Sequence, residues 1–184
     1  SVDLILTGNN PDPHIWLDPQ NMINIGQAIK DKLVLMDEAH KVEYEKNFNS
    51  LAKQLKELDD RYFQELEQKN KDSIIVSHAA FTYMAERYGF KQIPVSGISP
   101  EQEPSPKTVA ELIKVAKGDN HKYIFLETLA STKTVQVIAE ETGLEILTLN
   151  PVEGLTEDEI KNGEDYISIM EKNLENLKKA LVMD

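Results

Sequence analysis

Four histidines, thirty-two acidic residues and no cysteine set the chemistry that this 184-residue chain can carry. Without thiolates, disulfides are excluded and side-chain metal binding falls to His, Asp and Glu. His40 and His121 lie in charged, loop-like stretches and read as surface residues. His14 and His78 differ, because each follows a structural break and is flanked by apolar residues. A single histidine of this kind is more often a structural imidazole than a ligand, so its company decides. Glu127 ends the apolar run YIFLE, and Glu153 lies in the loop after the last such run. Two imidazoles with one or two carboxylates form a nitrogen and oxygen donor set. Such a set suits zinc or manganese, and not copper(I) or an iron–sulfur cluster.

The net charge of −12 favours a cation as ligand. It disfavours nucleic acid, whose phosphates call for Lys and Arg stripes, and it disfavours an anionic membrane surface. There is no glycine-rich phosphate loop, no G-x-S-x-G elbow and no H-E-x-x-H. Ser77 and His78 are adjacent, and side chains at a strand end are expected to diverge, which disfavours a Ser–His nucleophile pair.

These residues need elements to position them. Val2 to Leu6 reads as a short strand. Asp18 can cap a helix that starts at Pro19, with Met22, Ile25, Ile29 and Leu33 as its buried stripe. From Lys41 to about Lys69, Tyr44, Phe48, Leu51, Leu55, Leu58, Tyr62 and Leu66 recur at spacings of three and four, which predicts a helix about 40 Å long. Strands are then expected at Ser73–Ser77, Lys91–Val95, Tyr123–Glu127 and Glu145–Leu149. They alternate with helices at Ala79–Arg87, Ser105–Lys117, Thr132–Thr142 and Thr156–Leu181. Gly89 and Gly143 close two of the helices, and Thr156 with Glu159 forms a capping box. The alternation implies an α/β fold with a mostly parallel sheet covered on both faces. Ligands bind beyond the carboxyl ends of such strands, which is where His78, Glu127 and Glu153 fall. The proline-rich stretch Gly97 to Pro106 reads as a stiff wall beside that edge. No apolar run approaches the roughly 18 residues of a membrane span, and no signal peptide is visible. The opening Ser1-Val2-Asp3 falls in mid-pattern, as a mature or trimmed chain would.

Four blocks in register carry a resemblance. They are Asp12-Pro13-His14-Ile15-Trp16-Leu17-Asp18-Pro19, then Val76-Ser77-His78-Ala79-Ala80-Phe81 with Tyr83 and Tyr88-Gly89. Gly97 through Pro106 and Asn150-Pro151-Val152-Glu153-Gly154-Leu155 complete the set. In this order the chain resembles, over nearly its whole length, the zinc/manganese solute-binding proteins of bacterial ABC transporters, the family often called cluster A-I.

The resemblance implies two α/β lobes joined by one long helix, with metal held between them. On that pattern residues 1–40 are the last part of the N-terminal lobe, 41–70 the connecting helix and 71–184 a Rossmann-like C-terminal lobe with a four-stranded sheet. His14, His78 and Glu153 match the family's ligand motifs. A fourth ligand is expected in an N-terminal segment that this chain does not carry, and where the family has a His-rich loop just before the D-P-H motif this chain has only Gly8-Asn9-Asn10-Pro11. Glu127 matches no family ligand and is expected to orient an imidazole from behind. Manganese members place a carboxylate where His78 stands, so zinc is expected over manganese. The implied function is extracytoplasmic capture of zinc and delivery to a membrane ABC permease, by a monomeric cell-surface lipoprotein or periplasmic protein whose lipid anchor would lie outside this chain. Affinity should fall as pH drops through about 6.5, because the imidazoles must be unprotonated. A zinc-dependent hydrolase, with water at an open position beside Glu127, and a surface adhesin are the alternatives. The expectation is that the chain is not an enzyme.

Overall fold

Asp18 starts the first long helix as the sequence predicts. Its Oδ1 accepts the Gln20 N–H at 2.7 Å, and Pro19 occupies the first helical position. The computed structural model describes residues 3–7, 10–97, 105–118, 120–129 and 133–183. Helix α1 (Pro19–Met36) and helix α2 (Lys41–Leu66) pack on each other as a helical hairpin. The expected α1 stripe is only partly covered. Met22 and Ile25 are half-buried, but Ile29 and Leu33 are exposed, because this end of α1 packs on α2 and the turn at Glu38–His40 and not on the sheet layer. Likewise the lower half of α2 buries Leu55, Leu58, Tyr62 and Leu66, whereas Leu51 is exposed.

Ahead of α1 the structure departs from the predicted Val2–Leu6 strand. Val2 lies outside the described residues, and among the described ones Leu6–Thr7 (β1) pairs antiparallel to Asn10–Pro11 (β2). The Asp12 N–H continues this ladder to the Ile5 carbonyl at 2.8 Å.

Four parallel strands follow: β3 (Ser73–Val76), β4 (Lys91–Pro94), β5 (Tyr123–Leu126) and β6 (Glu145–Thr148). Their order is β4-β3-β5-β6. The pleat divides the core by parity. Ile74, Val76 and Phe125 join Leu58, Tyr62, Met84, Leu174 and Leu177 on one face, under α2, α3 (Thr82–Tyr88) and α7 (Tyr166–Leu181). Ile75 and Ile124 join Leu112, Val135 and Ile138 on the other, under α4 (Pro106–Gly118) and α5 (Lys133–Thr142). The α/β class and the helix cover on both faces are as expected. Gly89 and Gly143 end α3 and α5 at φ +71° and +76°, as anticipated.

Two helix predictions are corrected. Helix α3 begins at Thr82, not Ala79, because Ser77 to Phe81 form a turn in which the Ala79 N–H bonds to the Gly97 carbonyl. The predicted Thr156–Leu181 helix is two helices, α6 (Glu157–Lys161) and α7. Gly163 at φ +69° breaks the run, and Asp165 with Ser168 starts α7 by a second capping box. The predicted proline-rich wall lies mostly outside the described residues, as does Thr132.

A polar cluster ties α2 to α3. Buried Asp59 accepts from Arg87 Nε at 2.6 Å, Arg87 Nη2 at 2.5 Å and the Tyr88 hydroxyl at 2.8 Å. Arg87 also reaches Asp18 at 3.3 Å. Removing one partner of such a cluster strands the others, so Asp59→Ala is expected to lower stability by about 3 kcal/mol in chemical denaturation. The exposed Lys56–Asp60 pair should contribute under about 0.5 kcal/mol when either partner is cut back.

Burial raises the Asp18 carboxyl above the ordinary carboxylate range, with Arg87 opposing. The native state therefore holds this proton more tightly than the unfolded chain. The associated stability is present below the ordinary carboxylate pKa and is lost as pH rises through the raised value. Asparagine caps equally well but does not titrate. The melting temperature of Asp18→Asn relative to the parent chain should therefore climb as pH rises above about 4, the ordinary aspartate pKa.

Candidate metal centre

The site is built from two strand ends and one hairpin. In the sheet Val76 pairs with Phe125, so two residues further along each strand His78 meets Glu127. The connection after β3 leads to β4 on one side and the connection after β5 leads to β6 on the other, so the gap between β3 and β5 is the topological position at which α/β sheets bind ligands. Here β3 has ended and strand alternation no longer applies. Ser77 Oγ and His78 Nδ1 both donate to the same oxygen, Glu127 Oε1. The expected divergence of Ser77 and His78 is therefore corrected: both side chains turn to one carboxylate.

His14 arrives from the other side. Tyr83 on α3 pins the β1–β2 hairpin to the sheet edge, because its hydroxyl accepts the Ile5 N–H at 3.0 Å and donates to the Asp12 carbonyl at 3.2 Å. Asp12 Oδ1 then accepts both the His14 N–H, at 2.9 Å, and His14 Nδ1, at 2.6 Å. Leu17 is wholly buried in the same core as Phe81 and Leu149. The His14 segment thus packs directly on the sheet layer and does not stand across a gap from it.

Both imidazoles are buried, and both use Nδ1 on a carboxylate, which directs each Nε2 into the site. The rings lie edge to face with centroids 5.4 Å apart. Glu153 comes from the loop after β6 and contacts His14 Nε2 through Oε1 at 3.2 Å. One donor atom from each of His14, His78 and Glu153 lies within 4.8 Å of the other two. Tetrahedral zinc with bonds near 2.1 Å needs donor separations of roughly 3.4 Å. The His14–Glu153 edge already has that length, and the widest edge closes with a shift of about 1.4 Å. His78 Nε2 has no hydrogen-bond partner and is fully buried, as is Asp12 Oδ2. A buried imidazole nitrogen left unpaired costs about 1–3 kcal/mol, which a bound cation would recover.

Glu127 lies against His78 Nδ1, outside the triangle formed by His14, His78 and Glu153. Asp12 received no role from the sequence, although it stands in the D-P-H block. Its signal was its place two residues before His14, where an aspartate can accept the backbone N–H in an Asx turn. His40 and His121 are remote from the cluster: His40 pairs with Asp37 at 2.7 Å, and His121 Nε2 lies 3.5 Å from Ser73 Oγ.

A family model described as zinc-uptake complex component A, periplasmic (ZnuA), matches residues 4–180. The chain is 41% identical over 169 residues to the zinc-binding lipoprotein AdcA of Streptococcus pneumoniae, covering 92% of this chain and 34% of that protein. It is 39% identical over 172 residues to the high-affinity zinc uptake system protein ZnuA of Bacillus subtilis, covering 94% and 54%. The chain therefore spans about a third to a half of the length of these relatives. Among solved structures, the Zn(II)-bound ZnuA-like domain of S. pneumoniae AdcA superposes with a TM-score of 0.84 at 40% identity, over 97% of this chain and 67% of that one. The metal-dependent lipoprotein YcdH of B. subtilis gives 0.86 at 39% identity, over 98% and 68%.

Carboxylates behind metal-binding histidines usually tune affinity by 10- to 100-fold. Glu127→Gln keeps the shape but loses the charge behind His78. It should weaken zinc binding at least about 10-fold in a competitive chelator titration, with an unchanged circular dichroism spectrum.

Proposed function

The chain belongs to the zinc-uptake component A family, and from that premise we propose that it captures a zinc ion as cargo between His14, His78 and Glu153. The observation that carries this most directly is the buried, unpartnered His78 Nε2 facing the other two donors. Two neutral imidazoles and one carboxylate form a borderline donor set suited to zinc, with manganese the weaker fit. The fold and family support an extracytoplasmic protein that hands its ion to an ABC permease. The S. pneumoniae relative carries the name lipoprotein, which favours a lipid anchor outside the sequence described. A monomer is the expected state.

In this reading residues 1–40 are the end of an N-terminal lobe, 41–70 the connecting helix and 71–184 the C-terminal metal-binding lobe. The integration of Leu17 and Trp16 with the main core makes the first of these a part of the site wall. The protein acts as a binding protein and not as an enzyme. Ser77 Oγ donates to Glu127 and not to His78, so this sequence-adjacent Ser–His pair does not set an imidazole to activate the hydroxyl. A hydrolase or an adhesin gains no support from the relatives named above.

Calorimetric zinc titration should give one ion per chain, and His78→Ala should lose at least about 100-fold in affinity, since one of three donors disappears. Equal stoichiometry and affinity in the two proteins would overturn the assignment.

A further inference from the structure

The three proposed donors are held unequally. His14 and His78 are buried, and each ring is tied through Nδ1 to a carboxylate. Glu153 stands at the rim with 38% of its side chain exposed, and among the described residues its one polar contact is His14 Nε2. Its placement therefore depends on its loop, residues 150–154.

The base of that loop is anchored to the sheet layer. Asn150 N–H donates to Asn173 Oδ1 at 2.8 Å, Asn173 Nδ2 donates back to the Asn150 carbonyl at 2.7 Å, and Asn150 Nδ2 donates to Glu159 Oε1 at 3.0 Å. The tip is under strain. Val152 sits at φ +56°, a conformation that β-branched residues disfavour, and its N–H is held by Asn150 Oδ1 at 2.8 Å. Beside the His14–Glu153 contact, among the described residues one hydrogen bond joins this tip to the His14 segment. The indole Nε1–H of Trp16 donates to the Pro151 carbonyl at 2.8 Å, across 135 residues of sequence. On its other side, the Trp16 carbonyl accepts from the Tyr166 hydroxyl at 2.7 Å.

We propose that Trp16 is a positioning residue that latches the Glu153 loop shut against His14, so that it sets how long zinc is retained. The proposal rests on the zinc-capture reading above. Release requires the rim carboxylate to leave first, since the two imidazoles are braced from behind. The loop can swing out only by breaking the Trp16–Pro151 bond, and the strain at Val152 favours that opening. Capture starts from the open loop and does not use the latch. Its loss therefore falls on the dissociation rate. Phenylalanine keeps most of the ring packing but has no N–H to donate.

The test is stopped-flow transfer of zinc from the loaded protein to excess chelator, with association measured separately. Trp16→Phe should release zinc about five- to tenfold faster, the worth of one hydrogen bond, with association within about twofold of the parent. Tyr166→Phe removes the bond to the Trp16 carbonyl and leaves the indole in place. It should release about threefold faster, and it decides the matter if Trp16→Phe does not fold. Parental release rates in the folded, zinc-binding variants would overturn the latch and leave zinc capture standing. A parent chain that does not bind zinc would overturn the capture reading and the latch with it.

Discussion

The parallel pairing of β3 with β5 is the constraint on which the rest of the site depends. It places the residue after Ser77 on one strand beside the residue after Leu126 on its neighbour. His78 and Glu127, forty-nine positions apart in sequence, thereby become a buried donor–acceptor pair. Because Glu127 Oε1 also accepts from Ser77, a single carboxylate oxygen fixes the turn that ends β3 and the tautomer of the histidine. The imidazole then has one nitrogen spoken for and one exposed to the site. Any shift of register by one residue would replace Glu127 with Leu126 or Thr128 and leave a buried imidazole without its brace.

The same device appears at the second histidine with different local means. Asp12 reaches His14 within a two-residue turn, so this brace is local and needs no sheet. What is non-local there is the hairpin's attachment, through Tyr83 and through Leu17 in the core. Two braced imidazoles thus form a buried wall, and the Glu153 carboxylate stands at its partly exposed rim. Groups held in place before a ligand arrives limit the ordering cost of binding.

Much of the fold was legible because its signals are local. The βα alternation after Ser73, the caps at Asp18 and Thr156, and the glycines at 89 and 143 each report on a few neighbouring residues. All appear where the sequence placed them. The errors share a cause. The break between α6 and α7 turns on Gly163 within an otherwise helical pattern, and the delayed start of α3 turns on a hydrogen bond from Ala79 to Gly97. The exposed ends of the α1 and α2 stripes arise because periodicity reports an apolar face but not what covers it.

By itself, the sequence determined the available chemistry. The lack of cysteine, the acidic balance and two histidines set among apolar residues restrict the site to nitrogen and oxygen donors, and its motif blocks point to zinc uptake. Donor types and strand-end positions are properties of single residues and short windows, so they can be read in one dimension. Only the tertiary structure decided which carboxylate braces His78 and which contacts His14 Nε2. Glu127 and Glu153 look alike as strand-end acids. The register of β5 against β3 puts one behind His78, and the turn at Val152 aims the other at His14. The partnership of Trp16 with Pro151 is likewise invisible in the chain, because a hydrogen bond across 135 residues exists only once both segments have packed on the same core.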